Sequence, residues 1–171
     1  GWKNDGQTPV TANEIGGIGS IMALLRDAIK PNLVQTAEGQ PTIVHMGPFG
    51  NIAHGCSSII ADQLAVNCGE YVITEAGFGA DLGFEKFMDI KVRQGGPKPS
   101  AVVVVTTIRG LKWHGGVPMD DLETANTDAV QRGGENLKNA LRIVALYGLP
   151  AVVAINRFPT DTPEEIAAVF T

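Results

Sequence analysis

The sequence predicts an α/β fold, a mostly parallel sheet with helices on both faces, on three observations. Short apolar runs alternate with longer stretches of helical periodicity. Two of the runs, AVVVVTTI at Ala101–Ile108 and AVVAI at Ala151–Ile155, lack polar alternation, the mark of a strand covered on both faces. Each apolar run is followed by glycine, cation or amide residues of the kind that gather at the carboxyl ends of parallel strands.

Taken in order, Glu14–Ile29 places Ile15, Ile18, Ile21, Met22, Leu25 and Ile29 near helical spacing, and Pro31 stops it. Pro41–Met46 is a β-rich run that enters GPFGN. Ser57–Val66 reads as a helix entered from Gly55, and Tyr71–Thr74 as a second strand. Leu82–Arg93 is predicted helical, with Phe84, Phe87, Met88 and Ile90 on its apolar side. The third strand is Ala101–Ile108, followed by the irregular stretch Gly110–Asn126, long enough for a functional loop. Thr127–Tyr147 is a long amphipathic helix stopped by Gly148. Ala151–Ile155 is the fourth strand, and Pro163 opens a last helix at its first position. Thr162 and Glu165 around that proline form a capping box, which accounts for both residues.

Composition bounds the function classes. A length of 171 residues fits one α/β domain with one sizeable core, and 44% hydrophobic against 18% charged residues is a globular composition. A net charge of −5 gives no global basic field for nucleic acid or an anionic membrane, so an anionic ligand must be held by local donors. Cys56 and Cys68 are too few for a disulfide scaffold and lack metal spacing, which fits a reducing, cytoplasmic compartment. No apolar run reaches the roughly 20 residues a membrane span needs. The opening GWKNDGQTP has no signal-peptide profile and reads as part of a longer chain.

The residues after the four runs are the candidate site. After the first come His45 to Asn51 and then His54-Gly55, and after the second TEAGFGADLGFEKF with Gly77, Gly79, Asp81 and Gly83. After the third come Arg109 to Gly116, and after the fourth Asn156 to Thr162. GFGADLG is one residue out of register with a dinucleotide fingerprint, so NAD binding is a weak match, and no G-x-x-x-x-G-K-S/T phosphate loop occurs. The three histidines share no metal spacing, and no G-x-S-x-G elbow is present. His45, inside an apolar run, reads as a satisfied core histidine, whereas His54 and His114 lie beside glycines. Arg109 and Lys112 stand at the mouth of a buried strand, where an anion would be stabilised. Phe158, between Arg157 and Pro159, is either a stacking platform for a flat ligand or a plug at the domain edge.

KPNLVQT (Lys30–Thr36), GPFGNIAHG (Gly47–Gly55), TEAGFGADLG-x-EKF (Thr74–Phe87), GLK-x-HGG (Gly110–Gly116) and NRFPTDT (Asn156–Thr162) occur in that order. Together they resemble the formate–tetrahydrofolate ligase family, over nearly the whole chain from Asp5 to Glu165. Departures from the family pattern are Gly50 for alanine, Ser58 for asparagine, Val92 for cysteine and Trp113 for methionine. None removes a group assigned here to chemistry.

The resemblance implies a ligase that joins formate to tetrahydrofolate with ATP and Mg²⁺ through formyl phosphate, stimulated by a monovalent cation (K⁺ or NH₄⁺) and homotetrameric. It implies further that these residues are an interior segment, incomplete, of a P-loop NTPase-like or Rossmann-like three-layer domain. The phosphate loop then lies upstream, and part of the pterin pocket downstream. Both chemical steps concentrate negative charge on oxygen, so cations and backbone N–H groups are what catalysis needs. Arg109, Lys112 and His114 are accordingly the expected catalytic groups. Gly77, Gly79, Asp81 and Gly83 are expected beside the phosphates or formyl phosphate. Phe158 matches the family's pterin-stacking aromatic, with Asn156 and Asp161 as its polar neighbours. The rival expectation is a stand-alone module that binds folate or a partner chain without catalysis. Neither reading involves nucleic acid or a membrane.

Overall fold

The computed structural model describes residues 1–47, 54 and 56–170. Most of the GPFGNIAHG motif, including Gly50, therefore lies outside the described residues. The chain divides into two compact units: Gly1–Gly47 with Ser57–Val72, and a second comprising His54, Cys56 and 73–170 among the described residues. Architecturally it is a mixed α/β protein with one small antiparallel and one small parallel sheet.

In the first unit, helix α1 (Ile18–Leu25) is shorter than the predicted Glu14–Ile29, and none of its residues is buried. An amphipathic period without a surface to cover does not hold a long helix in water. Strands β1 (Asn32–Gln35) and β2 (Pro41–Val44) pair antiparallel, Asn32 opposite Val44 and Gln35 opposite Pro41. Thr36 N–H donates to the Gln40 carbonyl at 2.9 Å to close the turn. Strand β1 falls on KPNLVQT, where the sequence gives no clear alternation.

Helix α2 (Ile59–Cys68) begins at Ser58, whose Oγ accepts the Ala61 N–H at 3.0 Å. That hydroxyl donates in turn to His45 Nδ1 at 2.5 Å, so Nε2–H is the donor to the Ala28 carbonyl at 2.9 Å. His45 is the satisfied core histidine that its apolar surroundings predict. Of the two cysteines, Cys56 is buried and Cys68, the last residue of α2, is exposed.

The second unit is built on β3 (Val102–Thr106) and β4 (Ala151–Ile155), parallel, with Val102 opposite Ala151 and Thr106 opposite Ile155. The long helix α4 (Thr127–Leu146) makes the crossover between them. Its side chain cap is Asn126, which accepts from Ala129 N–H at 3.0 Å, and Gly148 ends the segment at φ 67°. One core gathers Phe84, Phe87, Met88, Ile143 and Val144 against Val102, Val104 and Ala151. A second gathers Ile108, Leu111 and Val130 against Ile155 and Ile166.

Tyr71–Thr74 forms no strand, and Ile73 is 99% exposed; a β-prone run without a partner ladder has nothing to satisfy its backbone. The predicted Leu82–Arg93 helix begins earlier and is wound wide, as π-helical turns at Gly79–Phe84 and Phe87–Val92. The strands expected to be covered on both faces are covered on one: Val103, Val105 and Val152 are 58, 64 and 61% exposed. The first part of the predicted loop Gly110–Asn126 is helix α3 (Ile108–His114), and a short 3₁₀ turn follows at Met119–Asp121. Of the four strand ends expected to converge, those of β3 and β4 are, among the described residues, the ones that neighbour each other in a parallel sheet.

Helices α3 and α4 cross at backbone distance. A Cβ on Gly133 would overlap the Leu111 carbonyl, and one on Gly115 would overlap the Ala129 carbonyl. Gly134 next door faces open space. Gly133→Ala is therefore expected to lose about 1–3 kcal/mol through overpacking, while Gly134→Ala is neutral or gains up to about 1 kcal/mol from helix propensity. Urea unfolding of the pair reads the difference, and equal midpoints would refute the close crossing.

Candidate functional site at the carboxyl ends of β3 and β4

The chain leaves β3 directly into α3, because Thr107 caps the new helix: its Oγ1 accepts the Gly110 N–H at 2.9 Å. Leaving β4, Asn156 N–H still donates to the Thr106 carbonyl at 2.9 Å, extending the ladder by one bond. The chain then turns through Phe158 and Asp161 into α5 (Pro163–Ala168). Two adjacent carboxyl ends thus place Arg109 and Phe158 together.

The Arg109 guanidinium carbon stands 4.6 Å from the Phe158 ring centroid, a cation–π stack. Its Nη2 donates to Glu123 Oε1 at 2.8 Å and to Thr160 Oγ1 at 3.4 Å, while its buried Nε has no hydrogen-bond acceptor among the described residues. The half-buried Phe158 is held by Asp161 from both sides of its peptide. Phe158 N–H donates to Asp161 Oδ2 at 2.8 Å, and Asp161 N–H donates to the Phe158 carbonyl at 3.0 Å. Asp161 is buried, and its Oδ1 has no hydrogen-bond donor among the described residues. Asn156 is exposed beside them.

Lys112 is on the same helix as Arg109 but points into the protein. Its Nζ lies 2.9 Å from Glu165 Oε1, both side chains being 1% exposed, and donates to the Thr124 carbonyl at 3.1 Å. Glu165 Oε1 also accepts Asn126 N–H at 2.9 Å, and Oε2 accepts Thr162 N–H at 3.1 Å. Burial pushes the Glu165 carboxyl up, but the Lys112 hydrogen bond, the two backbone N–H groups and the Lys112 charge outweigh it. The carboxyl is held below its ordinary 4.5. The predicted capping box is present, yet it does not account for all of Glu165: one carboxylate ties α3, the start of α4 and the start of α5 together. For Lys112 to touch a reacting phosphoryl oxygen, this pair would have to open.

His114, the last residue of α3, is exposed, and its ring meets that of Trp113 edge-on at 4.9 Å. Beyond it a cavity of about 330 Å³ is lined by residues that include Val117, Pro118, Asp121, Thr124, Asn126 and Arg132. Arg132 Nε donates to the Gly115 carbonyl at 3.1 Å across the start of that loop.

The glycine segment has a local account. Gly77 and Gly79 adopt φ 83° and 67°, and a Cβ on Gly83 would overlap the Ala76 carbonyl. At Gly83 the close backbone approach is made by the segment to itself. Asp81 is exposed, and Phe84, at the end of the turn, meets Tyr147 edge-on at 5.3 Å. His54 is exposed, with its neighbours on both sides outside the described residues.

Sequence reasoning missed Glu123 and Thr160 around Arg109, and Glu165 as the partner of Lys112. The signal for the last was the helical face Ile108, Leu111, Lys112, where a lysine shares the stripe of two core residues. Among the described residues no three His, Cys, Asp or Glu side chains come together as a metal-ligand set, and no helix is long and apolar enough to cross a membrane. The family model for formate–tetrahydrofolate ligase matches residues 1–171, and the chain belongs to that family, which implies formate, ATP and tetrahydrofolate as substrates.

Proposed function

We propose that these residues form part of the active site of a ligase that makes 10-formyltetrahydrofolate through formyl phosphate. Formate oxygen attacks the γ-phosphorus of ATP and ADP leaves; the folate amine then attacks the formyl carbon and phosphate leaves. The observation that carries this reading is the family match over residues 1–171, joined to an aromatic ring presented at the carboxyl end of a parallel strand. Phe158 is the stacking surface for the pterin, with Asn156 and Asp161 as its polar surround. Gly77, Gly79, Asp81 and Gly83 border the path of the phosphates, His114 supplies polar character near the reacting groups, and Arg109 stands against the Phe158 ring. Lys112 acts from behind, by fixing the loop at Thr124.

The residues described here offer Mg²⁺ no ligand set. Mg²⁺ is expected to arrive on the ATP phosphates. A three-layer, P-loop NTPase-like completion of the sheet, a monovalent cation site, a homotetramer and a cytoplasmic location belong to the same proposal. The uncovered face of β3 and β4 is in keeping with a further layer.

The test is formate-dependent ADP release in the presence of tetrahydrofolate. A ligase polypeptide that includes these residues and a phosphate loop is expected to show it. The 171 residues alone, which hold no G-x-x-x-x-G-K-S/T sequence, are expected not to. Formyl transfer by the 171 residues would overturn the dependence on a separate phosphate loop. Micromolar tetrahydrofolate binding without any ADP release from the longer polypeptide would favour the binding-module alternative.

A further inference from the structure

We infer that Arg109 is a positioning residue for the flat ligand: its guanidinium occupies one face of Phe158, so that a pterin stacks on the other. This rests on the proposed stacking role of Phe158. Three contacts carry it. The guanidinium carbon lies 4.6 Å from the ring centroid, close enough for stacked cation–π contact. The same group is tied by Nη2 to Glu123 at 2.8 Å, on the loop after α3, and to Thr160 at 3.4 Å, on the loop after β4. The ring's own peptide is clamped by Asp161 Oδ2 at 2.8 Å.

A half-buried phenylalanine on a strand-end loop would otherwise turn about its side-chain torsions and present either face. Here one face is closed by a planar cation held from two loops. The planarity matters, because a guanidinium covers a ring face as an ammonium does not. The cation also draws ring electron density toward itself, which favours an electron-rich, amino-bearing heterocycle on the opposite face. Arg109 therefore acts through Phe158 and need not touch the substrate. This gives it a different task from stabilising phosphoryl oxygens, and the two tasks have different kinetic signatures.

The experiment compares Arg109→Met, Arg109→Lys, Glu123→Gln and Phe158→Ala in the ligase polypeptide, measuring kcat and the separate KM values for tetrahydrofolate and ATP. Arg109→Met, which fills the space without charge, is expected to raise the tetrahydrofolate KM about 2- to 30-fold. The ATP KM should stay unchanged. Arg109→Lys should recover part of the loss, since charge returns without planar cover. Glu123→Gln should produce a smaller rise in the same direction.

If Phe158→Ala raises the tetrahydrofolate KM but Arg109→Met does not, the positioning role is overturned and the stacking reading stands. If Phe158→Ala leaves it unchanged, the stacking reading itself fails. A fall in kcat or a rise in ATP KM on Arg109→Met, with tetrahydrofolate KM unchanged, would instead place Arg109 at the phosphoryl chemistry and overturn positioning. Should Arg109→Met fail to fold, Glu123→Gln decides: a tetrahydrofolate-specific KM rise supports the inference, and none overturns it.

Discussion

Lys112→Met is expected to destabilise the protein by about 3 kcal/mol, at the lower end of the 3–5 kcal/mol cost of breaking a buried ion pair. The lower end applies because Glu165 keeps two donors, Asn126 N–H and Thr162 N–H, when the ammonium is gone. Glu165→Gln should cost at least as much, since it leaves a charged Nζ at 1% exposure with the Thr124 carbonyl and an amide oxygen. The double variant Lys112→Met/Glu165→Gln is expected to recover part of either loss. It strands no charge, but the single amide oxygen of glutamine can replace only one of the two carboxylate oxygens that accept Asn126 N–H and Thr162 N–H. Urea unfolding of the four proteins forms the cycle; strictly additive losses would show that the pair is not coupled.

The same pair sets a pH dependence. The folded Glu165 carboxyl lies below its ordinary 4.5, so its contribution to stability is complete above about that pH. It is lost as pH falls through the lower folded value. The wild-type protein should therefore lose stability more steeply below pH 4.5 than the Lys112→Met/Glu165→Gln variant, in which the group cannot titrate. Parallel profiles would assign the acid sensitivity elsewhere.

How much of this was legible depended on whether the deciding interaction was local. The strand Ala151–Ile155, the helix from Thr127 and the capping box at Thr162 were all readable, because a run, a period and a cap lie within a few residues of themselves. Tyr71–Thr74 was not, because β-propensity says nothing about whether a partner strand is at hand. Gly83 signals a close approach, and what comes close is the Ala76 carbonyl seven residues earlier; glycine records that something is close without saying what. Lys112 and Arg109 looked alike as cations at a strand mouth. Their partners are what separate them: Lys112 is 1% exposed against Glu165, whereas Arg109, a third exposed, meets Phe158 on the loop after β4, and both partners lie more than 45 residues along the chain.

Phe158→Ala is expected to raise the tetrahydrofolate KM of the ligase polypeptide about 5- to 150-fold, from roughly 1–3 kcal/mol for stacking a flat heterocycle on an aromatic ring. The ATP KM should change little, because the adenine and phosphates have no call on this ring in the proposed site. The competing account is that Phe158 only plugs the end of the sheet. It then contributes to stability alone, and less than the roughly 3–5 kcal/mol of a fully buried ring, because it is half buried. The two accounts separate on a single variant. A lowered melting temperature with an unchanged tetrahydrofolate KM would leave only the plug. A raised tetrahydrofolate KM in a protein that still melts cooperatively would mean that the face away from Arg109 binds the ligand. The loop from Asn156 to Asp161 would then be holding that ring ready, through the Asp161 bonds to its peptide and the guanidinium at its back.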